Sequence, residues 1–150
     1  MSNGQNIETA RQMYEAFGRG DVQAILDQVT GDVDWSTDAA IASAPWYGPR
    51  HGKDGVGSFF EAIGKTGPVT EFTPLAYTSN DEGDVMVFIR YAFTVTATGR
   101  HVVMNMHHYW KFRGGKACYV RSFEDTAQVA AALRPLPGPS RAMPGEGARS

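Results

Sequence analysis

The sequence predicts an α+β fold, with about three helices packed on a strongly curved, mainly antiparallel sheet that encloses a pocket. Three observations predict it. Apolar residues recur three and four apart early in the chain, then switch to strand-like alternation over the second half. The joints between the alternating segments, Asn80-Asp-Glu-Gly83, Ala97-Thr-Gly99 and Arg113-Gly-Gly115, are short and turn-like, which makes neighbouring strands antiparallel. Helices gathered early and strands gathered late form separate layers, and a long twisted sheet curling over helices leaves a hollow at its open end.

Each element follows from local pattern. Ile7, Ala10, Tyr14 and Phe17 mark one face of a first helix, which Gly18 and Gly20 end. Asp21 caps a second helix with Val22, Ile25, Leu26 and Val29 inward. Arg19-Gly20-Asp21 spells an adhesion tripeptide, but a helix stop followed by a helix start explains it. Residues 33–37 alternate as a short strand, and 39–52, with two prolines and two glycines, form an irregular loop. Val56, Phe59, Phe60 and Ile63 mark a third helix over 53–63, weakened by its glycines at roughly 1 kcal/mol each relative to Ala. Four strands follow, over 70–78, 85–96, 101–112 and 117–124. Asp125 then caps a last turn or two of helix through Val129 and Leu133. Residues 1–134 make a single domain, and the Pro/Gly-rich 135–150 form a tail expected to be disordered.

Composition excludes several classes of function. The 150 residues suffice for one domain with a real core. The net charge of −2, from 14 basic and 16 acidic side chains, argues against a nucleic acid or an anionic membrane as partner. No apolar run reaches the roughly 18 residues a membrane span needs, and the N-terminus lacks the basic start and apolar stretch of a signal peptide. A single cysteine, Cys118, allows no internal disulfide, so a cytoplasmic location is expected. Cys118 itself reads as a small core residue. Gly48-Pro-Arg-His-Gly-Lys53 is one residue short of a phosphate loop and is not followed by Ser or Thr, and no Gly-x-Ser-x-Gly elbow exists.

The informative segment is the run His-Val-Val-Met-Asn-Met-His-His-Tyr-Trp-Lys-Phe at 101–112. Strand alternation puts Met104, Met106, His108, Trp110 and Phe112 on one face, and Val103, Asn105, His107, Tyr109 and Lys111 on the other. His108 is therefore a titratable group on an apolar face, either a satisfied core residue or the working acid/base of a pocket. His107 points the opposite way. Adjacent strand residues diverge and no His-x-His or His-x-x-x-His spacing exists, so no metal site is expected.

Four stretches carry a resemblance: Tyr14-Glu-Ala-Phe-Gly-Arg-Gly-Asp21, Asp32-Val-Asp-Trp35, the segment from Gly52 to Phe60, and Gly115-Lys116 through Arg121-Ser-Phe-Glu-Asp-Thr126. With them the chain resembles the SnoaL-like, ketosteroid-isomerase-related branch of the NTF2-like superfamily over about residues 7 to 133. The resemblance implies a cone-shaped fold with a ligand pocket between helices and sheet, and a homodimer. Members include isomerases, polyketide cyclases, dehydratases, epoxide hydrolases and pure binding proteins, so the fold alone does not choose a chemistry. Tyr14 falls near the isomerases' first-helix tyrosine, which donates to the substrate oxygen. His108 falls at their second oxyanion donor. Their general base corresponds to Thr37, with Asp38 next to it. In the polyketide cyclases of this branch a histidine and an aspartate act as acid/base; His108 and Asp125 are similar to these.

The expected function is a cofactor-free enzyme moving a proton next to a carbonyl (isomerase, cyclase or dehydratase) on a hydrophobic polyketide- or terpenoid-like substrate. The catalytic candidates are His108, Tyr14, Asp38 and Asp125. The candidates for substrate binding are Trp35, Phe59, Arg90, Met106, Trp110 and Phe123. Arg90 interrupts an apolar strand and needs a carboxylate or ligand partner, with Glu124 the favoured structural one. The alternative is a non-catalytic ligand-binding or dimerisation module with the same pocket. A third reading, a subunit of a larger assembly, would show Tyr91, Phe93 and Val95 on an apolar outer face.

Overall fold

The computed structural model describes residues 2–137. In chain order it contains α1 (Asn3–Gly18), α2 (Val22–Leu26), β1 (Val29–Thr37), β2 (Gly48–His51), α3 (Gly52–Thr66), β3 (Val69–Ser79), β4 (Val85–Thr94), β5 (His101–Arg113), β6 (Lys116–Phe123) and α4 (Thr126–Leu133). The six strands form one curved, unclosed sheet in the order β2-β1-β6-β5-β4-β3. The turn-like joints do make β3 to β6 an antiparallel meander. β1, by contrast, lies parallel to β6 and antiparallel to β2. Of the expected tail, residues 138–150 lie outside the described residues.

Local chemistry explains the boundaries. Ser2 starts α1 with a reciprocal cap: its Oγ accepts the Gln5 N–H, and the Gln5 side chain accepts the Ser2 N–H. Asp21 caps α2 by accepting the Ala24 N–H. α2 stops at Leu26, and Val29 is a strand residue opposite Ala117, not part of the second helix as its spacing suggested. The 39–52 segment is not wholly irregular, because its end forms β2. Pro49 is tolerated there because β2 is the edge of the sheet. α3 runs on to Thr66 and ends where the chain crosses another strand. A Cβ at Gly67 would lie 1.9 Å from the Thr94 carbonyl oxygen, so only glycine fits.

The core lies between the inner sheet face and α1, α2 and α3. Val85, Val87, Ile89, Tyr91 and Phe93 of β4 point inward and are nearly fully buried, as are Val33, Trp35 and Val120. They pack on Ala10, Met13 and Tyr14 of α1, Ile25 of α2 and Val56 of α3. Burial of such side chains contributes roughly 1.5–3 kcal/mol each. Tyr91, Phe93 and Val95 are thus core residues rather than parts of an outer apolar face. On the other side of the sheet Asp84 ties β4 to β5. Its carboxylate accepts Tyr109 Oη at 2.6 Å, Lys111 Nζ at 2.9 Å and Asn80 Nδ2 at 3.1 Å. Among the described residues no helix is long and apolar enough to cross a membrane.

Candidate active site

The alternation of β5 turns Met106, His108 and Trp110 inward, toward α1. There Tyr14 meets two of them. Its Oη lies 2.8 Å from His108 Nδ1 and accepts the Trp110 Nε1–H at 3.0 Å. The Tyr14 and His108 rings stack with centroids 5.7 Å apart and planes 28° apart, while Trp110 stands edge-on to Tyr14. An indole N–H only donates, so the Tyr14 oxygen is its acceptor. The direction of the Tyr14–His108 bond is set by the imidazole tautomer; with the phenol donating to Nδ1, the imidazole proton is on Nε2, which has no hydrogen-bond partner among the described residues.

Burial keeps both groups uncharged. It raises the Tyr14 hydroxyl well above its ordinary range, with the Trp110 hydrogen bond pulling the other way and Tyr77 adding to the rise. Burial, with a smaller contribution from the neighbouring His107, lowers the His108 imidazole to about 3. His108 is therefore neutral across the physiological range.

His108 lines a partly open cavity of about 60 Å³. Its walls are mainly aromatic, including Trp35, Phe59, Phe60, Phe72, Tyr91 and Trp110. Ser122, which is opposite His108 in the β5–β6 register, adds a hydroxyl to this lining that makes no side-chain hydrogen bond among the described residues. Thr37, opposite Ser122 on β1, is fully buried and its Oγ1 has no partner.

The structure brings six of the expected residues to this cavity: His108, Tyr14, Trp35, Phe59, Met106 and Trp110. Four others lie elsewhere. Asp38 turns outward, accepts from Ser36 Oγ at 2.7 Å and pairs with Arg121 at 3.5 Å. Asp125 is exposed and caps α4, accepting the Gln128 N–H at 3.2 Å. Arg90 is on the outer face of β4, where it pairs with Glu71 of β3 at 3.4 Å and not with Glu124. Phe123 has the outward parity on β6 and is 46% exposed. His107 faces outward as expected and packs on Phe88. Cys118 is only partly buried.

One carboxylate that sequence reasoning did not place in the site is on the inner side. Glu124, just past β6, accepts Trp46 Nε1 at 3.1 Å and Tyr47 Oη at 3.2 Å. Trp46 in turn packs edge-on against Phe93 of the inner face. Burial pushes the Glu124 carboxyl up to about 7, against the pull of those two hydrogen bonds. Tyr91, a cavity wall, has its hydroxyl raised by burial and then by the Glu124 charge, so the carboxylate lies close behind that wall. The signal was available: extending the inward parity of Val120 and Ser122 by one more step reaches Glu124.

An open curved sheet, a helical layer and a histidine beside a tyrosine define a small α+β protein built around an apolar, mainly aromatic cavity. The chain belongs to the SnoaL-like domain family, whose sequence model matches residues 10–120. The fold matches that of an NTF2-like protein from Burkholderia pseudomallei K96243, with 27% identity, a TM-score of 0.78, and 89% of this chain and 99% of that one covered. It also matches TerC, solved with polyporic acid, at 22% identity and a TM-score of 0.76, covering 85% of this chain and 97% of that one. A third match is a protein of Jannaschia sp. CCS1, provisionally titled a SnoaL-like polyketide cyclase, at 16% identity and a TM-score of 0.76, covering 89% and 94%. No curated protein matches the chain.

Proposed function

We propose that this protein is a small-molecule enzyme of the SnoaL-like type that transfers a proton next to a carbonyl, as isomerases, cyclases and dehydratases do. One observation carries the reading. His108 lines an aromatic cavity with Nδ1 engaged by Tyr14 and Nε2 without a hydrogen-bond partner among the described residues. That arrangement presents one fixed N–H to whatever oxygen enters.

The chemistry follows from the neutral imidazole. The substrate carbonyl accepts the His108 Nε2–H, and Ser122 Oγ offers a second donor on the neighbouring strand. As the α-proton leaves, negative charge gathers on that oxygen, where a preorganised donor in a dry site is worth far more than in water. With its pKa near 3, His108 is a poor base, so the proton goes to a carboxylate. Glu124 is the acceptor this reading assigns, because its acidity is shifted to about 7, matched to proton transfer near neutrality; it does not line the cavity, so the transfer needs the Tyr91 wall to move aside or a water to relay the proton. The same carboxyl then returns the proton to a second carbon, or to a departing hydroxyl in a dehydration. Tyr14 holds the imidazole tautomer through this cycle. Structures of this fold that carry isomerase and polyketide cyclase names support the reaction class.

The test is deuterium exchange at the α-carbon of small cyclic enones, such as 2-cyclohexenone, followed by NMR. The expected outcome is exchange above the buffer rate that falls roughly 10²–10³-fold in His108→Ala, the loss typical of one oxyanion donor. Equal exchange by both proteins rejects the role of His108. A binding-only module is favoured by Thr37, a hydroxyl where the related isomerases have a base, and it predicts probe binding without exchange.

A further inference from the structure

The cavity at His108 is smaller than the molecules its chemistry suits. At about 60 Å³ it is well under the roughly 150 Å³ that holds one benzene. Directly outside it lies a larger hollow of about 460 Å³, between the α1–α2 turn and the α3–β3 joint. Phe17 of α1 and Phe60 and Ile63 of α3 face both spaces. They form a partition one side chain thick. Phe60 is its centre, packed against Phe59 at 5.0 Å and against Phe17 and Trp35 at 5.7 Å each. Gly20 and Gly64 are among the outer hollow's lining residues and put no side chain into it; a Cβ on either would meet nothing within 4 Å.

α3, which carries two of the three partition residues, has glycines at 55, 57 and 64 in its sequence. No side chain caps its start at His51. A Cβ at Gly57 would meet nothing within 4 Å, so packing does not require glycine there. Glycine in a helix interior lowers its stability and widens its backbone freedom. A soft helix beside an undersized cavity is a means of opening it.

We propose that the outer hollow is the second compartment of one ligand site and that Phe60, flanked by Phe17 and Ile63, is the gate between the compartments. The site then takes an elongated, flat, apolar molecule with a single oxygen at its inner end, toward His108, and its ring body in the outer hollow. Only the placement of that inner oxygen rests on the proposed function; the gate rests on the two hollows and their shared wall.

Two probes test this, phenol with one ring and 4-phenylphenol with two. Affinity is measured by calorimetry, and association by stopped-flow quenching of tryptophan fluorescence, since Trp35 and Trp110 line the inner cavity. The second ring should tighten binding roughly tenfold or more, because it is buried in the outer hollow. Phe60→Ala should speed association about tenfold, and Gly57→Ala, which stiffens α3, should slow it by about threefold. Phe60→Leu replaces Phe60→Ala if thermal unfolding shows that the smaller residue prevents folding. Equal affinity for the two probes, or association untouched by the Phe60 change, overturns the gate. Phenol binding that shifts the His108 ¹⁵N resonances while 4-phenylphenol gains nothing overturns the gate alone and leaves the proposed function standing. Failure of both probes to bind overturns both.

Discussion

The Tyr14 hydroxyl accepts a hydrogen bond from Trp110 Nε1–H and makes a second with His108 Nδ1. A single oxygen on α1 thereby decides which nitrogen of a β5 imidazole carries hydrogen. Tyr14→Phe removes that decision. The variant should lose about 1–3 kcal/mol of stability, because the buried Trp110 N–H is left without an acceptor. ¹⁵N chemical shifts of His108 should move from an Nε2–H tautomer toward a mixture, and any α-exchange activity should fall at least roughly tenfold. Unchanged imidazole shifts would remove Tyr14 from the site's logic.

Two buried groups give stability opposite pH slopes. The folded-state pKa of His108 is lowered from 6.5 to about 3, so the unfolded chain binds the extra proton and stability rises with pH up to about 6.5. The folded-state pKa of Glu124 is raised from 4.5 to about 7, so the folded chain holds the extra proton and stability falls between about pH 4.5 and 7. Each contributes about 1.4 kcal/mol per pH unit within its window, and the two cancel from about 4.5 to 6.5. Urea unfolding at several pH values should show Glu124→Gln gaining stability with pH across that range. His108→Asn should lose it. Parallel curves for the two variants would contradict both assignments.

Activity should rise with pH through about 7 if Glu124 is the base, because only its carboxylate accepts a proton. Glu124→Gln should erase that rising limb and lower the α-exchange rate by roughly 10²–10⁴, while retaining an amide that still accepts from Trp46 and Tyr47. A pH–rate profile unchanged in Glu124→Gln would assign the proton transfer to another group.

The Asp84 clasp is a purely structural test. Burial raises this carboxyl, but hydrogen bonds from Tyr109, Lys111 and Asn80, with the Lys111 charge, win and hold it below its usual range. Asp84→Ala strips three donors of their acceptor at once and should cost about 2–4 kcal/mol in chemical denaturation. Its native contribution fades as pH falls below the carboxylate range, so the difference from wild type should shrink in acid.

Gly67→Ala should be among the most damaging single-methyl changes in the protein. The new Cβ would sit 1.9 Å from the Thr94 oxygen, a backbone atom that cannot step aside without breaking the α3–β4 crossing. A loss above roughly 3 kcal/mol is expected, read as a fall in thermal midpoint. Gly57→Ala, with open space around it, should instead stabilise by about 0.4–1 kcal/mol.

The elements were legible because their causes are local. Two-residue alternation on β5 suffices to turn Met106, His108 and Trp110 to the same side, and the glycine-bearing joints suffice to make β3 to β6 antiparallel. What escaped the sequence depends on distant partners. Trp46 is 1% exposed although it sits in a loop between two prolines, because Glu124 and Phe93, far along the chain, bury it. Asp38 and Asp125 drew attention as carboxylates near strand ends, but Arg121 and the start of α4 hold them outside. Arg90 found Glu71 across a strand pairing, on the face opposite to the one Glu124 serves.

Trp35 lies beside Val120 because β1 is laid parallel to β6. During synthesis, then, the first strand pairs early with β2 on one edge, but its other edge waits through α3 and the whole β3–β5 meander before β6 leaves the ribosome. Joining them closes a very long loop, the kind of high-contact-order step that slows folding. A polypeptide halted before β6 could form hairpins, yet its aromatic cavity would lack the wall that Val120 and Ser122 supply.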